Sequence, residues 1–143
     1  MGIRYRLDKA LGLTLVVWDG VVTGTEAEDH VRRLFDDPNW PPGPLHLLDA
    51  TTVTSAPTVA NTKLVDLAVN AAETRRIRFA LVQHMGFDEA TYFEREASEH
   101  GLSQVIVFND LATACTWLGL EVGRTRTVVA DIRREIREPD ATP

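Results

Sequence analysis

The polar side chains that could do chemistry in this sequence stand directly after its short apolar runs. Asp19 and Asp49 each follow one such run, and His84 follows another. A carboxylate paired with an imidazole can transfer protons near neutral pH, because an unperturbed histidine has a pKa of about 6.5. Asp49 is the partner that the sequence offers to His84. The simpler interpretation is that these residues are ordinary turn and cap residues.

Further polar residues extend this group. Thr54, Ser55 and Thr58 follow the run that ends at Asp49, and Asn109 ends the last run. Ligands of open α/β sheets bind beyond the carboxyl ends of the parallel strands, and free N–H groups at helix starts favour an anion there. We therefore predict one rim that meets a ligand or a partner. Its candidate residues are Asp19, Asp49, Thr54, Ser55, Thr58, His84 and Asn109.

The signals of common catalytic sites are missing. Ser55 has no Gly-x-Ser-x-Gly elbow around it, and the nine glycines form no phosphate-binding loop. No histidine spacing predicts a metal site. Cys115 is the only cysteine, which excludes an intrachain disulfide, and we expect it to be a buried structural thiol. We therefore predict no catalytic residue, no metal and no cofactor, in a protein that is not an enzyme.

Aromatic side chains could make contacts of another kind. Trp40 stands in a proline-rich loop, where it either anchors a partner or covers the end of the core. Phe87, Tyr92 and Phe93 form either a lid over the carboxyl edge of the sheet or ordinary helix packing. Packing is the simpler interpretation for these three residues.

Hydrophobic patterns predict the elements that position these residues. The alternation of residues 3–8 is typical of a half-buried strand, and residues 13–18 form the second strand of a hairpin that stops at Asp19-Gly20. Shorter apolar runs predict strands over residues 45–49, 77–82 and 105–108.

Caps and prolines predict the helices. Thr25 and Glu28 form a capping box at the start of the first helix. A hydroxyl-rich loop over residues 50–57 leads to a second helix that starts between Ser55 and Thr58, with Pro57 in its first turn. The five predicted helices span about residues 25–36, 57–76, 88–101, 110–118 and 125–138.

The predicted order of elements is ββαβαβαβα followed by one extra C-terminal helix. Crossovers through helices join parallel strands. We therefore predict an α/β domain over residues 1–122 with a mixed five-stranded sheet, whose first strand is antiparallel at or near an edge. Residues 123–143 form the C-terminal amphipathic helix and a frayed tail.

In three segments the chain resembles the SpoIIAA-like (STAS/SEC14-like) proteins, which are related to the STAS-domain antagonists of anti-sigma factors. The segments are VWDGVV at 17–22, LLDATTV at 47–53, and VIVFNDLATA at 105–114 followed by Trp117-Leu118-Gly119. The resemblance covers about residues 3–120. It implies a STAS fold and a regulatory module that acts through protein–protein or small-ligand binding.

The chain departs from the STAS antagonists at their phosphorylated motif. Those proteins carry an Asp-Ser-Ser/Thr-Gly type motif, whereas this chain has VTSAPT at 53–58. The acceptor position falls on Ala56 or Pro57, neither of which can take a phosphate. A phospho-switch would have to use Thr54, Ser55 or Thr58, and it is the weaker alternative. The SEC14 likeness implies the other alternative, a carrier or sensor of a lipid-like molecule.

The composition limits the partners. The 21 acidic and 15 basic residues give a net charge of −6, which argues against binding nucleic acid. No apolar run approaches the roughly 20 residues that span a membrane, and the N terminus lacks the apolar core of a signal peptide. Lys9 and Lys63 are the only lysines, an arginine-rich usage that indicates a bacterial protein. We expect a cytoplasmic protein whose partner is a protein or a small apolar or anionic ligand.

The last predicted helix carries an apolar stripe of Val129, Ile132 and Ile136. Such a stripe must be buried on its own domain or on a second copy. Because it lies outside the segments that carry the resemblance, we predict that it is the contact face of a two-fold homodimer.

Overall fold

A computed structural model describes residues 2–56, 77–84, 94–95, 98–99 and 104–139 of the chain. Five strands form one sheet in the order β1-β2-β3-β4-β5. They are β1 (Ile3–Asp8), β2 (Leu13–Val21), β3 (Leu45–Ser55), β4 (Arg78–Val82) and β5 (Val105–Phe108). The helices with described bounds are α1 (Gly24–Asp36), α2 (Leu111–Leu118) and α3 (Val122–Arg137).

The sheet is mixed. β1 runs antiparallel to β2, and the other three pairs are parallel. The predicted α/β fold, with an antiparallel first strand at the edge, is confirmed. The two helices predicted between β3 and β5 lie almost wholly outside the described residues.

The alternation of side chains along β2 separates two cores. Leu13, Leu15 and Val17 point to the face that α2 and α3 cover, and Val16 points to the face that α1 covers. The larger core also contains Leu47, Ala80, Val82, Ala114, Cys115, Leu118, Leu120, Val129 and Ile132.

The apolar stripe of α3 lies in the larger core of its own chain. Val129 and Ile132 are only 2% and 0% exposed, and Ile136 packs against the same cluster. These side chains are not available to a second copy. The prediction that they form a dimer face is therefore wrong, because the sheet of the same chain offers α3 an apolar surface to cover.

β3 is longer than predicted. It continues from Asp49 to Ser55 through the segment expected to be a loop, alongside an equally unexpected extension of β2 to Val21. The register shifts between Val17 and Asp19 and again between Gly20 and Val21, and Gly20 has a φ of 68°, which glycine adopts without strain. β-Branched residues favour such a strand once a partner strand is present.

Two helices begin earlier than predicted. Thr23, not Thr25, caps α1, and its Oγ1 accepts a hydrogen bond from the Glu26 N–H at 3.2 Å. α3 begins at Val122 because the carboxylate of Glu121 accepts hydrogen bonds from the next two free N–H groups, those of Gly123 and Arg124. α2 begins close to its predicted start, with Asp110 as its cap.

Candidate functional site

Two carboxylates of the predicted rim lie at the carboxyl ends of β2 and β3. Asp19 is 8% exposed and Asp49 is 2% exposed. Burying a charged group without a partner is costly, so each of these carboxylates needs donors close by. Both find a guanidinium on the last turns of α3.

Asp19 is held by two side chains. Arg137 donates from Nε to Oδ2 and from Nη2 to Oδ1, both at 2.9 Å, which is the bidentate geometry of a strong charged pair. Thr52 donates its hydroxyl to Oδ1 at 2.6 Å. The hydrogen bonds from Arg137 are the main reason why the pKa of Asp19 lies below its ordinary value, against the opposing effect of burial. Asp19 therefore stays ionised.

Asp49 accepts hydrogen bonds from Thr51 and Arg133. Thr51 donates its backbone N–H at 3.0 Å and its hydroxyl at 2.7 Å, and Arg133 Nη2 lies 3.3 Å from the same oxygen, Oδ1. Arg133 also donates from Nε to the Thr52 hydroxyl at 3.1 Å. Thr52 thus joins the two ion pairs into one chain of contacts, which we call the edge network. It consists of Asp19, Asp49, Thr51, Thr52, Arg133 and Arg137.

The edge network leaves little scope for acid–base chemistry. A general base must be free to take a proton from a substrate, yet the Asp19 and Asp49 carboxylates both face arginine donors. A guanidinium does not release its proton at physiological pH. The arrangement instead fastens α3 across the end of the sheet where α/β folds usually bind ligands.

The other predicted rim residues do not join the edge network. Thr54, Ser55, His84 and Asn109 are all exposed. Within the described part of the chain, no ion pair joins His84 to Asp49, so the pairing suggested by the sequence is not formed. Thr54 and Ser55 belong to the end of β3 and not to a helix start, and Thr58 lies outside the described residues.

Trp40 packs on the first helix. Its ring centroid lies 4.9 Å from that of Phe35 with a tilt of 40°, and the side chain is half-buried. This contact favours the interpretation that Trp40 covers the end of the core. The other candidate aromatic contacts, Phe87, Tyr92 and Phe93, lie outside the described residues.

A polar cluster beside β1 has no counterpart in any pattern of the sequence. Tyr5 donates its hydroxyl to Asp37 Oδ2 at 2.8 Å, and its ring meets His30 edge-on at 5.7 Å. Burial raises the pKa of Tyr5 to about 12, and the hydrogen bond to Asp37 adds to the effect. Next to this cluster is an open cavity of about 600 Å³, lined by Tyr5, Leu7, Lys9, Asp37 and Asn39.

Two histidines are half-buried and pack against aromatic rings. His46 stacks on Phe79 with ring centroids 4.4 Å apart, and burial lowers its pKa to about 3. Burial likewise lowers the pKa of His30 to about 4. An apolar strand around His46 favours such packing, and the ring of Tyr5 contacts that of His30 edge-on.

Within the described residues, no group of three or more His, Cys, Asp or Glu side chains could hold a metal ion. Cys115 is buried and unpaired, and burial is the main cause that raises the pKa of its thiol. These properties are those of a structural thiol. No helix in the described part of the chain is long and apolar enough to cross a membrane.

Comparison with known proteins gives a result for the fold. No family model matches the chain, and no curated protein matches its sequence. A solved structure matches well: an uncharacterized protein of the DUF3478 family from Shewanella loihica, with a SpoIIAA-like fold. The TM-score is 0.57 at 18% identity, over 82% of this chain and 93% of that chain. The chain has a SpoIIAA-like fold.

The resemblance that the sequence motifs carried is thus confirmed at the level of the fold. The SpoIIAA-like fold accounts for the mixed sheet and the hairpin at its start. A "putative enoyl-CoA hydratase/isomerase" from Acinetobacter baumannii also matches, with a TM-score of 0.44 and 9% identity over 96% of this chain and 90% of that chain. A likeness of that size carries no argument about chemistry.

Proposed function

We propose that this SpoIIAA-like protein is a non-enzymatic binding and regulatory module of the bacterial cytoplasm, which acts through a protein partner. The edge network is the observation that carries the proposal. Asp19 and Asp49 are the buried carboxylates of the described chain, and both are neutralised by arginines of the same chain. This arrangement favours contacts at the surface as the means by which the described part of the chain acts on other molecules.

A carrier of a lipid-like molecule is the alternative, and it has less support. A carrier needs an enclosed apolar cavity that buries most of its ligand. Val17, Leu47 and Ile132 are fully buried on the face under α2 and α3, so that face is filled by the chain itself. A phospho-switch has in its favour only the exposure of the Thr54 and Ser55 hydroxyls.

Native mass spectrometry of gently purified protein tests this proposal. We expect the mass of the bare chain or a whole multiple of it. Extra non-protein mass that is released on denaturation would contradict the proposal and support the carrier. An added phosphate mass, mapped to Thr54 or Ser55, would support the phospho-switch instead. The subunit count also tests the homodimer, which would need a surface other than the buried stripe of Val129, Ile132 and Ile136.

Loss-of-function variants test the absence of enzymatic activity. Ser55→Ala and His84→Ala each remove an exposed side chain that could act as nucleophile or base. We expect both variants to bind the protein partner as tightly as the wild type does, because the proposed function needs no catalytic residue. Substrate turnover by the wild-type protein that either substitution abolishes would overturn the proposal.

A further inference from the structure

β1 is an edge strand of the sheet, and its backbone is regular. It pairs with β2 without a register shift, from Ile3 opposite Trp18 to Asp8 opposite Leu13. β1 has six residues and a length of roughly 20 Å. A terminal strand presents N–H and C=O groups that a further strand can pair with.

The hydrogen-bonding pattern shows which groups face outward. The Asp19 N–H donates to the Gly2 carbonyl at 2.8 Å, so Gly2 and Asp19 form a hydrogen-bonded pair. In an antiparallel ladder such pairs alternate with non-hydrogen-bonded ones. Ile3, Tyr5 and Leu7 therefore direct their N–H and C=O groups away from β2. Within the described part of the chain, no hydrogen bond outside the sheet uses these groups.

The two sides of this edge differ in chemistry. On one side, Tyr5 and Leu7 line the open cavity of about 600 Å³. On the other side, Arg4 and Arg6 share a single carboxylate, that of Glu135, and their side chains are 45% and 41% exposed. Two guanidiniums beside one carboxylate leave a net positive charge. An added strand would thus meet a cavity where Tyr5 and Leu7 lie beside Lys9, Asp37 and Asn39 on one side, and positive charge on the other.

A second copy of the chain fits this edge poorly. In an antiparallel pair of β1 strands, the outward-facing odd residues would hydrogen-bond with one another. Even residues would then meet even residues, so in the two registers that pair five residues of β1, centred on Tyr5 or on Arg6, an arginine lies opposite an arginine of the other copy. Like charges directly opposite each other destabilise a sheet.

We propose that the outer edge of β1 binds an extended segment of a partner protein in which acidic and apolar residues alternate. The segment adds a sixth strand to the sheet. Its backbone pairs with Ile3, Tyr5 and Leu7, its apolar side chains pack against Tyr5 and Leu7, and its acidic side chains face Arg4 and Arg6. This inference rests on the proposed function, since it names the class of partner.

Peptide binding tests the inference. The probe is a fluorescein-labelled ten-residue peptide that alternates glutamate and valine, and the matched control alternates lysine and valine. Fluorescence anisotropy should show binding of the first peptide at least tenfold tighter than that of the second. The difference should shrink as salt is added, because salt screens exposed charges. Equal binding of both peptides, or no binding of either, would overturn the inference.

Amide hydrogen exchange shows where the peptide lies. In the free protein, the amides of Ile3, Tyr5 and Leu7 should exchange quickly and those of Arg4 and Arg6 slowly. Bound peptide should slow the exchange at Tyr5 and Leu7 at least tenfold. Binding that leaves these two rates unchanged would place the peptide elsewhere and contradict the inference. Protection of the same amides in a dimer without peptide would identify a second copy as the occupant, which also contradicts it.

Two variants distinguish the loss of backbone pairing at the edge of β1 from a general loss of folding. Leu7→Pro removes an outward N–H and leaves the β1–β2 ladder intact, a position where proline is tolerated, so peptide binding should weaken at least tenfold. Leu7→Val keeps the N–H and should bind as the wild type does. If Leu7→Pro does not fold, Arg4→Glu provides the test, because it should reverse the preference toward the lysine peptide. Failure of all peptide binding would leave the proposed function standing, whereas retained ligand or turnover would contradict that function alone.

Discussion

The chemical role of a single residue at the carboxyl end of the sheet depends on the side chains that bind it. Asp19 alone has the chemistry of a proton acceptor, but Arg137 and Thr52 occupy its oxygens. Buried ion pairs contribute little net stability, yet removing one partner is costly because the other charge is left without compensation. The pair therefore matters mainly because it determines where the end of α3 lies.

Asp19→Asn is expected to lower the free energy of unfolding by about 1–2 kcal/mol at pH 7. This is less than the roughly 3–5 kcal/mol typical of buried pairs, because Arg137 is 57% exposed and water can solvate it. The pKa of Asp19 is lowered in the folded state, so its stabilising effect is present above about pH 4 and is lost as the pH falls through the lowered pKa. Urea unfolding should show a smaller difference between variant and wild type at pH 3. An equal difference at both pH values would contradict the role of Arg137 as the partner of an ionised Asp19.

The half-buried His30 and His46 predict loss of stability in acid. Burial lowers the pKa of His30 to about 4 and that of His46 to about 3. Below pH 6.5 the unfolded chain therefore binds more protons than the folded chain, and the free energy of unfolding falls as the pH drops toward 4.

His46→Phe is expected to weaken this pH dependence while keeping the stack on Phe79. Urea unfolding at pH 7.5, 6 and 5 measures it. The value at pH 7.5 is the internal control, since His46 is neutral there in both states. A variant that loses stability as steeply as the wild type between pH 6.5 and 5 would show that His46 does not contribute.

At the scale of elements, hydrophobic periodicity predicts the strands and helices whose formation depends on residues close together in the sequence. The alternation of Ile3, Tyr5 and Leu7 is visible without any knowledge of the fold, and β1 lies where it indicates. The extension of β3 over 50–55 escapes prediction because hydroxyl-rich residues are also typical of loops. Only the pairing with the end of β2 makes that segment a strand.

The edge network could not be predicted, because it joins residues that are far apart in sequence. Arg137 lies 118 positions from Asp19, and Arg133 lies 84 positions from Asp49. The two arginines stand four residues apart, a helical spacing that places them on one side of α3. Which carboxylates they meet depends on the register of β2 with β3, which no local pattern reveals.

The burial of α3 leads to a prediction at this scale. Ile132→Ala is expected to lower the free energy of unfolding by about 2–5 kcal/mol, because the side chain is fully buried in the larger core, where α3 packs on β1 and β2. Ala130→Ser is the matched control on the exposed side of the same helix, with an expected change within about 0.5 kcal/mol. Urea unfolding measures both variants. A cost below about 1 kcal/mol for Ile132→Ala would contradict the packing of α3 on its own sheet.

At the scale of the whole molecule, the described sheet has one end that is closed and one edge that is open. α3 closes the carboxyl ends of β2 and β3 through the edge network. The outer edge of β1 has no partner strand in the sheet. The proposed binding role uses the open edge of β1 and not the closed end of the strands.

Native-state amide hydrogen exchange in α3 tests most directly whether the edge network closes the end of the sheet. Residues 133–136 form hydrogen bonds within the last turns, and the arginines of these turns hold the two buried carboxylates. We predict that these amides exchange nearly as slowly as those of β2, because opening the turns would expose Asp19 and Asp49 without partners. Exchange at least a hundredfold faster than in β2 would show that the end of the sheet opens readily. The carboxyl edge would then be accessible to a ligand, which contradicts a role confined to contacts at the surface.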